Sequence, residues 1–340
     1  MAPPDNGNEY LPFADMIAVE KINESTYRSK AMPFSPGGSG RAYGGHVYAQ
    51  AVWAAAQTVA KGFVVHNVTG FFILAGLTNI PFVYNVKNIR DGRSYCTRIV
   101  NVTQAEGKGI CFTCTCSFKI AEDSFLDVQE DVNLWDKYAV VLDGTKPEDW
   151  PEAPGMDVKW YWEYRRETGK NDPFPGLDSR KVNMDAYNLE RDPFSRRQLL
   201  FYRVIGSLPA SADPNLHACA HLYASDRNSL FIVANHLDVG DNFTQMASLS
   251  HTVVFHTPPA EYTMQQKSSS GREDRIWFCK EDWTSRAAGG RGIHHSRMIG
   301  PDGRHIATSW QEGMVRLGKD KNDQKAAYRR GAFGKSPVKL

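Results

Sequence analysis

The chain is short of the features that would assign it to several large classes of protein. Six cysteines in 340 residues do not make a disulfide framework, and an intracellular compartment would keep them reduced. No run approaches the ~18 apolar residues that a membrane-spanning helix requires, and the longest, around 71–77, is interrupted by Gly76. The first residues, MAPPDNGNEYLPFADM, carry neither a basic stretch nor an apolar stretch of a secretory signal, so a soluble, intracellular chain is expected. The net charge is +2, which gives no bulk reason to bind nucleic acid or an acidic membrane. Gly-x-Ser-x-Gly is absent: the nearest candidate, Gly37-Gly38-Ser39-Gly40, is followed by Arg41. That removes the strained nucleophile turn of the α/β serine hydrolases. There is no phosphate-binding Gly-x-x-x-x-Gly-Lys-Ser/Thr loop, and Tyr43 stands where a third dinucleotide-binding glycine would be.

What is present is apolar material for a large core, 41% hydrophobic and 11% aromatic, in a length that fits two domains. Two stretches have helical period. One runs over 44–61 and is rich in alanine, with Val47, Ala51, Ala54, Ala55 and Val59 on one face, as a helix lying close against a sheet would have. The other runs over 218–235. Each is followed by four segments rich in aromatic and β-branched residues and bounded by Gly, Asp and Pro, which read as antiparallel strands. A helix followed by a run of strands, twice, disfavours a parallel βαβ architecture.

The last hairpins support a duplication. Glu106-Gly107-Lys108-Gly109-Ile110 matches Asp302-Gly303-Arg304-His305-Ile306 in type and order, and at the same offset of 196 residues Thr115 falls opposite Gln311. Acidic-Gly between strands is a turn signal. The expected organisation is an N-terminal domain over 9–120, a linker and insertion over 121–192 with Pro-Gly clusters, a C-terminal domain over 193–318, and a mobile basic tail over 319–340.

Cysteines 111, 114 and 116 do not make a metal site, because Cys114 and Cys116 share one face of a strand and Cys111 lies on the other. His294 and His295 point to opposite faces, one inward and one to solvent. His46, in the first turn of the first helix, is read as polar surface or as a contact to a ligand. No metal or cofactor is implied. Three polar residues of the second half remain: Asp226 inside the apolar helix, Ser248 at the start of a strand, and Gln311 within the last strand.

In this order the three resemble the catalytic set of the acyl-CoA thioesterase II family. Arg41-Ala42-Tyr43-Gly44-Gly45-His46-Val47 is similar to that family's first-helix segment, and Asp91-Gly92-Arg93-Ser94-Tyr95 to a strand-pair motif. Phe255-His256-Thr257-Pro258 resembles a strand ending in Phe-His-Arg-Pro, and Trp310-Gln311-Glu312-Gly313-Met314-Val315-Arg316 the family's last strand. The resemblance covers about 10–120 and 195–318. It implies an α+β fold of two tandem hotdog domains, each a long helix wrapped by a curved antiparallel sheet, and hydrolysis of acyl-CoA by a directly activated water. Asp226 takes the place of the base, with Ser248 and Gln311 holding the water. Gly44 and Gly45, which open the first helix, and His46 in its first turn are candidates for the substrate side, with tight packing of the helix on the sheet as the other reading of the two glycines. A non-catalytic acyl-CoA binder and a hotdog enoyl-thioester hydratase stay open as alternatives. By analogy a homo-oligomer is expected. The final Val338-Lys339-Leu340 approaches a peroxisomal address, with the cytoplasm as the other location.

Overall fold

A computed structural model describes residues 7–38, 40–104, 108–122, 124–130, 133–267, 271 and 273–317. The tail over 319–340, including Val338-Lys339-Leu340, and the Glu106-Gly107 turn lie outside the described residues. The N-terminal half holds α1 (Phe13–Ile17), β1 (Val19–Lys21), β2 (Thr26–Ser29), α2 (Gly44–Ala56), β3 (Val64–Phe72), β4 (Val83–Asp91), β5 (Tyr95–Thr103) and β6 (Ile110–Lys119). Between the halves lie α3 (Leu134–Lys137), α4 (Ala139–Leu142), α5 (Lys159–Thr168), β7 (Leu177–Lys181) and α6 (Asp185–Asn188). The C-terminal half holds β8 (Gln198–Val204), α7 (Pro214–Ser225), α8 (Ser229–His236), β9 (Phe243–Phe255), a short hairpin of β10 (Gln265–Lys267) and β11 (Glu273–Arg275), β12 (Phe278–Ala288), β13 (Arg291–Ile299) and β14 (His305–Leu317).

Twelve strands form one sheet in the order β1-β2-β4-β5-β6-β3-β9-β14-β13-β12-β8-β7. The halves meet where β3 pairs antiparallel with β9, from Asn67 opposite Val254 to Phe71 opposite Ser250. On either side of that seam the strands after each helix run in the same sequence, so the duplication read from the hairpins is present in the topology. Two helix-in-sheet units joined edge to edge are a double hotdog fold.

The register corrects one detail of the repeat. Thr69 faces Thr252 across the seam, and their hydroxyls lie 3.1 Å apart. Counting one residue back on each strand, Val68 pairs with Cys116 and His251 pairs with Gln311. The place equivalent to Gln311 therefore belongs to Cys116, which points inward, and not to Thr115, which is exposed. A sequence offset cannot register the irregular pairing at the two hairpins, each of which carries a register shift.

Helix α2 is shorter than its apolar period suggests. It ends at Ala56, where the Thr58 hydroxyl turns back to donate to the Ala55 carbonyl. It is also buried nearly all round, not on one face, because the sheet lies on one side and α7 on the other. Small side chains are what permit such close packing. The second helical stretch is two helices, interrupted at Asp226-Arg227-Asn228, with Asn228 in the left-handed region (φ 56°). Asn tolerates that conformation, and Ser-Asp-Arg-Asn-Ser is a run of weak helix formers.

The stretch over 121–192, expected as linker and insertion, packs down. Strand β7 extends the sheet through β8, Tyr161 of the Trp-Tyr-Trp run is fully buried, and Leu134, Tyr138, Leu142, Val182 and Met184 build a second core. That core lies against the outer face of the sheet, the side occupied by Cys279 and Ile299. The fully buried Glu281 carboxylate on this face is met by Lys137, Arg297 and the Tyr138 hydroxyl. His294 points inward and His295 outward, stacked on Trp283. Cys111, Cys114 and Cys116 are all buried thiols. Among the described residues no helix is long and apolar enough to cross a membrane.

Three core histidines make stability depend on pH. Burial lowers His46 and His236 to about 4 and His221 to about 3. An unfolded chain protonates histidine near pH 6.5, so below that pH it binds more protons than the fold. This stabilising contribution is complete above about pH 6.5 and is lost as the pH falls toward 4, on the order of 2 kcal/mol per histidine by pH 5. Thermal denaturation at pH 7 and pH 5 is expected to show a Tm drop of about 5–10 °C. An unchanged Tm would contradict these assignments.

Candidate active site

The turn between α7 and α8 faces the start of α2. Asp226 follows the last residue of α7 and is half-buried. Its Oδ2 accepts from the Gly45 backbone N–H at 2.8 Å, and its Oδ1 accepts from Gln311 Nε2 at 2.7 Å and from the Ser229 hydroxyl at 3.2 Å. The same Gln311 nitrogen donates to Ser248 Oγ at 2.7 Å. A carboxylate only accepts, so Gln311 must present its NH₂ to Asp226. The Ser248 hydroxyl, accepting from Gln311, keeps its own proton to donate elsewhere. Gln311 itself is fully buried, and its Oε1 has no hydrogen-bond partner among the described residues.

Two departures from regular structure bring these groups together. The first is the helix break, which turns the Asp226 carboxylate toward α2 instead of continuing α7 past it. The second is a β-bulge. Glu312 pairs with Ser250 and Gly313 with Ser248, leaving Leu249 as an extra residue in β9. On a regular strand residues 248 and 251 face opposite sides. The bulge puts Ser248 on the inner face, beside Gln311 and the Gln311 neighbour His251.

Gly44 and Gly45 belong to the same place. A Cβ on Gly44 would come within 2.7 Å of Asp226 Oδ2, and one on Gly45 within 2.6 Å of the Tyr223 carbonyl and the Tyr43 ring. Glycine is required here for close approach of one helix to the other. The Gly45 N–H is engaged by Asp226, so it holds the carboxylate. His46 is not at this site: it is fully buried, and its Nε2 contacts the Met16 carbonyl at 3.0 Å. Both readings of it, polar surface and ligand contact, fail because α1 packs over the first turn of α2.

Burial pushes the Asp226 carboxyl above the usual carboxylate range, while the hydrogen bonds from Gln311, Ser229 and Gly45 and the charge of Lys280 pull it back. The result is a carboxyl raised overall, a better proton acceptor than an exposed aspartate. At the other end of the helix pair, where the pseudo-symmetry would place a second site, the Asp213 carboxylate caps α7 and accepts from the Asn215 N–H and Nδ2. Asn215 fills that end, donating to the Phe63 carbonyl and accepting from the Val65 N–H. Among the described residues there is no cluster of three or more His, Cys, Asp or Glu able to hold a metal ion.

A double hotdog with one carboxylate seated on the opposing helix start, bridged by an amide to a hydroxyl, has the architecture of a hotdog thioesterase. Known proteins agree. Residues 32–119 match the family model described as acyl-CoA thioesterase N-terminal domain, and residues 147–315 match the acyl-CoA thioesterase C-terminal domain. The chain belongs to the acyl-CoA thioesterase II family and is a thioester hydrolase. It is similar to acyl-coenzyme A thioesterase 8 of Mus musculus, 28% identical over 314 residues that cover 89% of this chain and 88% of the relative. A crystal structure of the acyl-CoA thioesterase II TesB2 from Mycobacterium marinum aligns with a TM-score of 0.63 at 25% identity, covering 90% of this chain and 99% of that one. A shorter match, 28% identical over 89 residues and 26% of each chain, is to the peroxisomal acyl-coenzyme A thioester hydrolase 1 of Saccharomyces cerevisiae.

Proposed function

We propose that the protein hydrolyses acyl-CoA by direct attack of a water that Asp226 deprotonates, with Gln311 and Ser248 fixing its position. The observation that carries this reading is the Gln311 amide donating at once to the Asp226 carboxylate and the Ser248 hydroxyl, at 2.7 Å each. Two oxygens that converge on one nitrogen leave a water beside them little freedom, which is the entropic part of such catalysis. The proton passes from water to Asp226 as oxygen bonds to the thioester carbonyl carbon. The tetrahedral adduct then collapses, the carbon–sulfur bond breaks, and the proton held by Asp226 goes to the departing CoA thiolate. The products are the free acid and CoA. No covalent acyl-enzyme is formed.

The adduct's oxyanion needs donors. The start of α2 offers the Gly44 N–H and the positive end of a helix dipole, the Gly45 N–H being held by Asp226, and Gly44 has no side chain to obstruct the carbonyl. A hydratase reading would need a histidine beside Asp226. Two histidines flank Gln311 across the sheet, and both are engaged elsewhere: His251 Nε2 with the Ser225 hydroxyl and His294 Nε2 with the Asp282 carboxylate.

The test is release of free thiol from a panel of acyl-CoAs, short to long. Turnover on at least one member is expected, and saturable binding without thiol release would favour an acyl-CoA binder instead. A peroxisomal location is part of the proposal, supported by the name of the yeast relative. The full chain carrying an N-terminal fluorescent protein is expected to coincide with a peroxisomal marker, and diffuse cytoplasmic signal would refute it.

A further inference from the structure

Behind the Asp226 turn, on the inner face of β12, lies a buried ionic group that hydrolysis as written does not use. Lys280 and Asp282 are two apart on the strand and face inward, at 0% and 2% exposure. Their neighbour Glu281 faces the opposite, outer core. Lys280 Nζ donates to the Arg227 carbonyl at 2.7 Å and the Ser225 carbonyl at 3.4 Å, and lies 3.5 Å from Asp282 Oδ1. An ammonium has three N–H donors and no lone pair, and three acceptors are what it meets. Asp282 is shared with His294, whose Nε2 lies 2.9 Å from the same oxygen.

The two carbonyls belong to the residues on either side of Asp226. We propose that Lys280 is the positioning residue of the catalytic turn: it clamps the Ser225–Asp226 and Arg227–Asn228 peptide units, which bracket Asp226 and its link to Arg227, so fixing the direction of the carboxylate, and it stabilises that carboxylate in its ionised form. This rests on the reading of Asp226 as the base. A cation at a helix C-terminus is favourable in itself, since it meets carbonyls left without helical partners. Here the cation comes from the sheet and holds the turn from below.

The hydrogen bonds from Gln311, Ser229 and Gly45 also favour the ionised Asp226, and Lys280 adds a positive charge to them. Tyr43, just before α2, and Tyr48, within it, are buried phenols pushed well above their usual range, and His251 on β9 is pushed well below its own; all three are neutral at physiological pH. Gly45, Ser229, Ser248 and Gln311 carry no charge. Arg227, in the turn, directs its guanidinium away, over the Phe174 ring and onto the Ala153 carbonyl. Burial pushes Asp282 up, but Lys280 and then His294 outweigh it and hold it down; burial in turn pushes the Lys280 ammonium down, and the charges of Asp282 and Asp226 oppose that. His294 is itself lowered by burial and serves as a neutral donor.

The experiment is a titration of the Asp226 carboxyl by infrared spectroscopy on ¹³C-aspartate-labelled protein, read as the difference from Asp226→Asn. It is made on wild type and on Lys280→Met, which keeps the length of the side chain without its charge. The Asp226 pKa is expected to rise by about one unit or more in Lys280→Met. The acid limb of kcat/KM is expected to move with it, and kcat to fall about tenfold. Lys280→Met leaves Asp282 with one partner and tests folding as well. Lys280→Met/Asp282→Leu removes the buried pair together, a replacement that folded proteins tolerate, and should shift Asp226 in the same direction. A folded variant whose Asp226 titrates as in wild type overturns the proposal, even if its Tm or activity is lower. The titration needs no substrate, so it decides the role of Lys280 separately from whether Asp226→Asn abolishes thiol release.

Discussion

Asp226→Asn is expected to lower thiol release from acyl-CoA by two or more orders of magnitude while the protein stays folded. The substitution keeps shape and removes the proton acceptor. It also disturbs the geometry, because both carboxylate oxygens are used as acceptors: Oδ2 by the Gly45 N–H, Oδ1 by Gln311 and Ser229. Asparagine offers one acceptor, so its NH₂ must face either the Gly45 N–H or the Gln311 amide, a donor against a donor. General-base catalysis contributes about 10²–10⁴-fold, and misplacement adds to that. Stability should change little, since a charge that burial disfavours is removed along with its hydrogen bonds. The check is kcat/KM together with the Tm. Full activity in Asp226→Asn would remove the base from the mechanism and leave Ser248 and Gln311 without a purpose.

Gly44→Ala and Gly45→Ala should separate catalysis from packing. The Gly45 Cβ would lie 2.6 Å from the Tyr223 carbonyl, which is backbone in the last turn of α7 and cannot turn aside as a side chain can. The two helices must spread, at a cost of about 1–3 kcal/mol, and the Gly45 N–H must leave Asp226. Both Tm and kcat should fall. The Gly44 Cβ would instead press on Asp226 Oδ2 at 2.7 Å and on the Phe72 ring at 3.0 Å, both side-chain atoms that can turn aside. Gly44→Ala is therefore expected to keep a Tm near wild type and to lose about 10–100-fold in kcat, because a carboxylate turned by a fraction of an ångström no longer faces the water. Thermal denaturation beside steady-state kinetics would distinguish them. A Gly44→Ala enzyme with wild-type kcat would show that the carboxylate has room to spare.

Much of the scaffold was legible because alternation and helical period are local. Strand β5, Tyr95–Thr103, alternates outward and inward side chains as its sequence suggests, and β14 spans the residues expected of the last strand. The residues brought together at the site were legible only through family resemblance. What was lost lies where local period and tertiary structure part. Asp226 reads as part of an apolar helix, whereas it ends one; the signal was the Ser-Asp-Arg-Asn-Ser run, whose residues prefer turns and caps. Ser248 shares a face with His251 only through the bulge at Leu249, which no period-2 reading contains. Lys280, in Trp-Phe-Cys-Lys-Glu-Asp-Trp, drew no expectation, because nothing local says that α8 covers one face of β12 and the 133–188 segment the other. His46 was misplaced for the same reason: its cover, α1, comes from 30 residues earlier.

The pairing of β3 with β9 brings the start of α2 and the Asp226 turn together within a single polypeptide. An enzyme assembled from two separate hotdog subunits would lose such a centre on dilution, as its halves came apart. In this chain the effective concentration of one half for the other is set by the connecting polypeptide, so the centre persists at any dilution. Symmetry is then no longer obligatory. Asn215 can occupy one end of the helix pair and Asp226 the other, and the mechanism proposed for Asp226 then gives one reacting centre per chain.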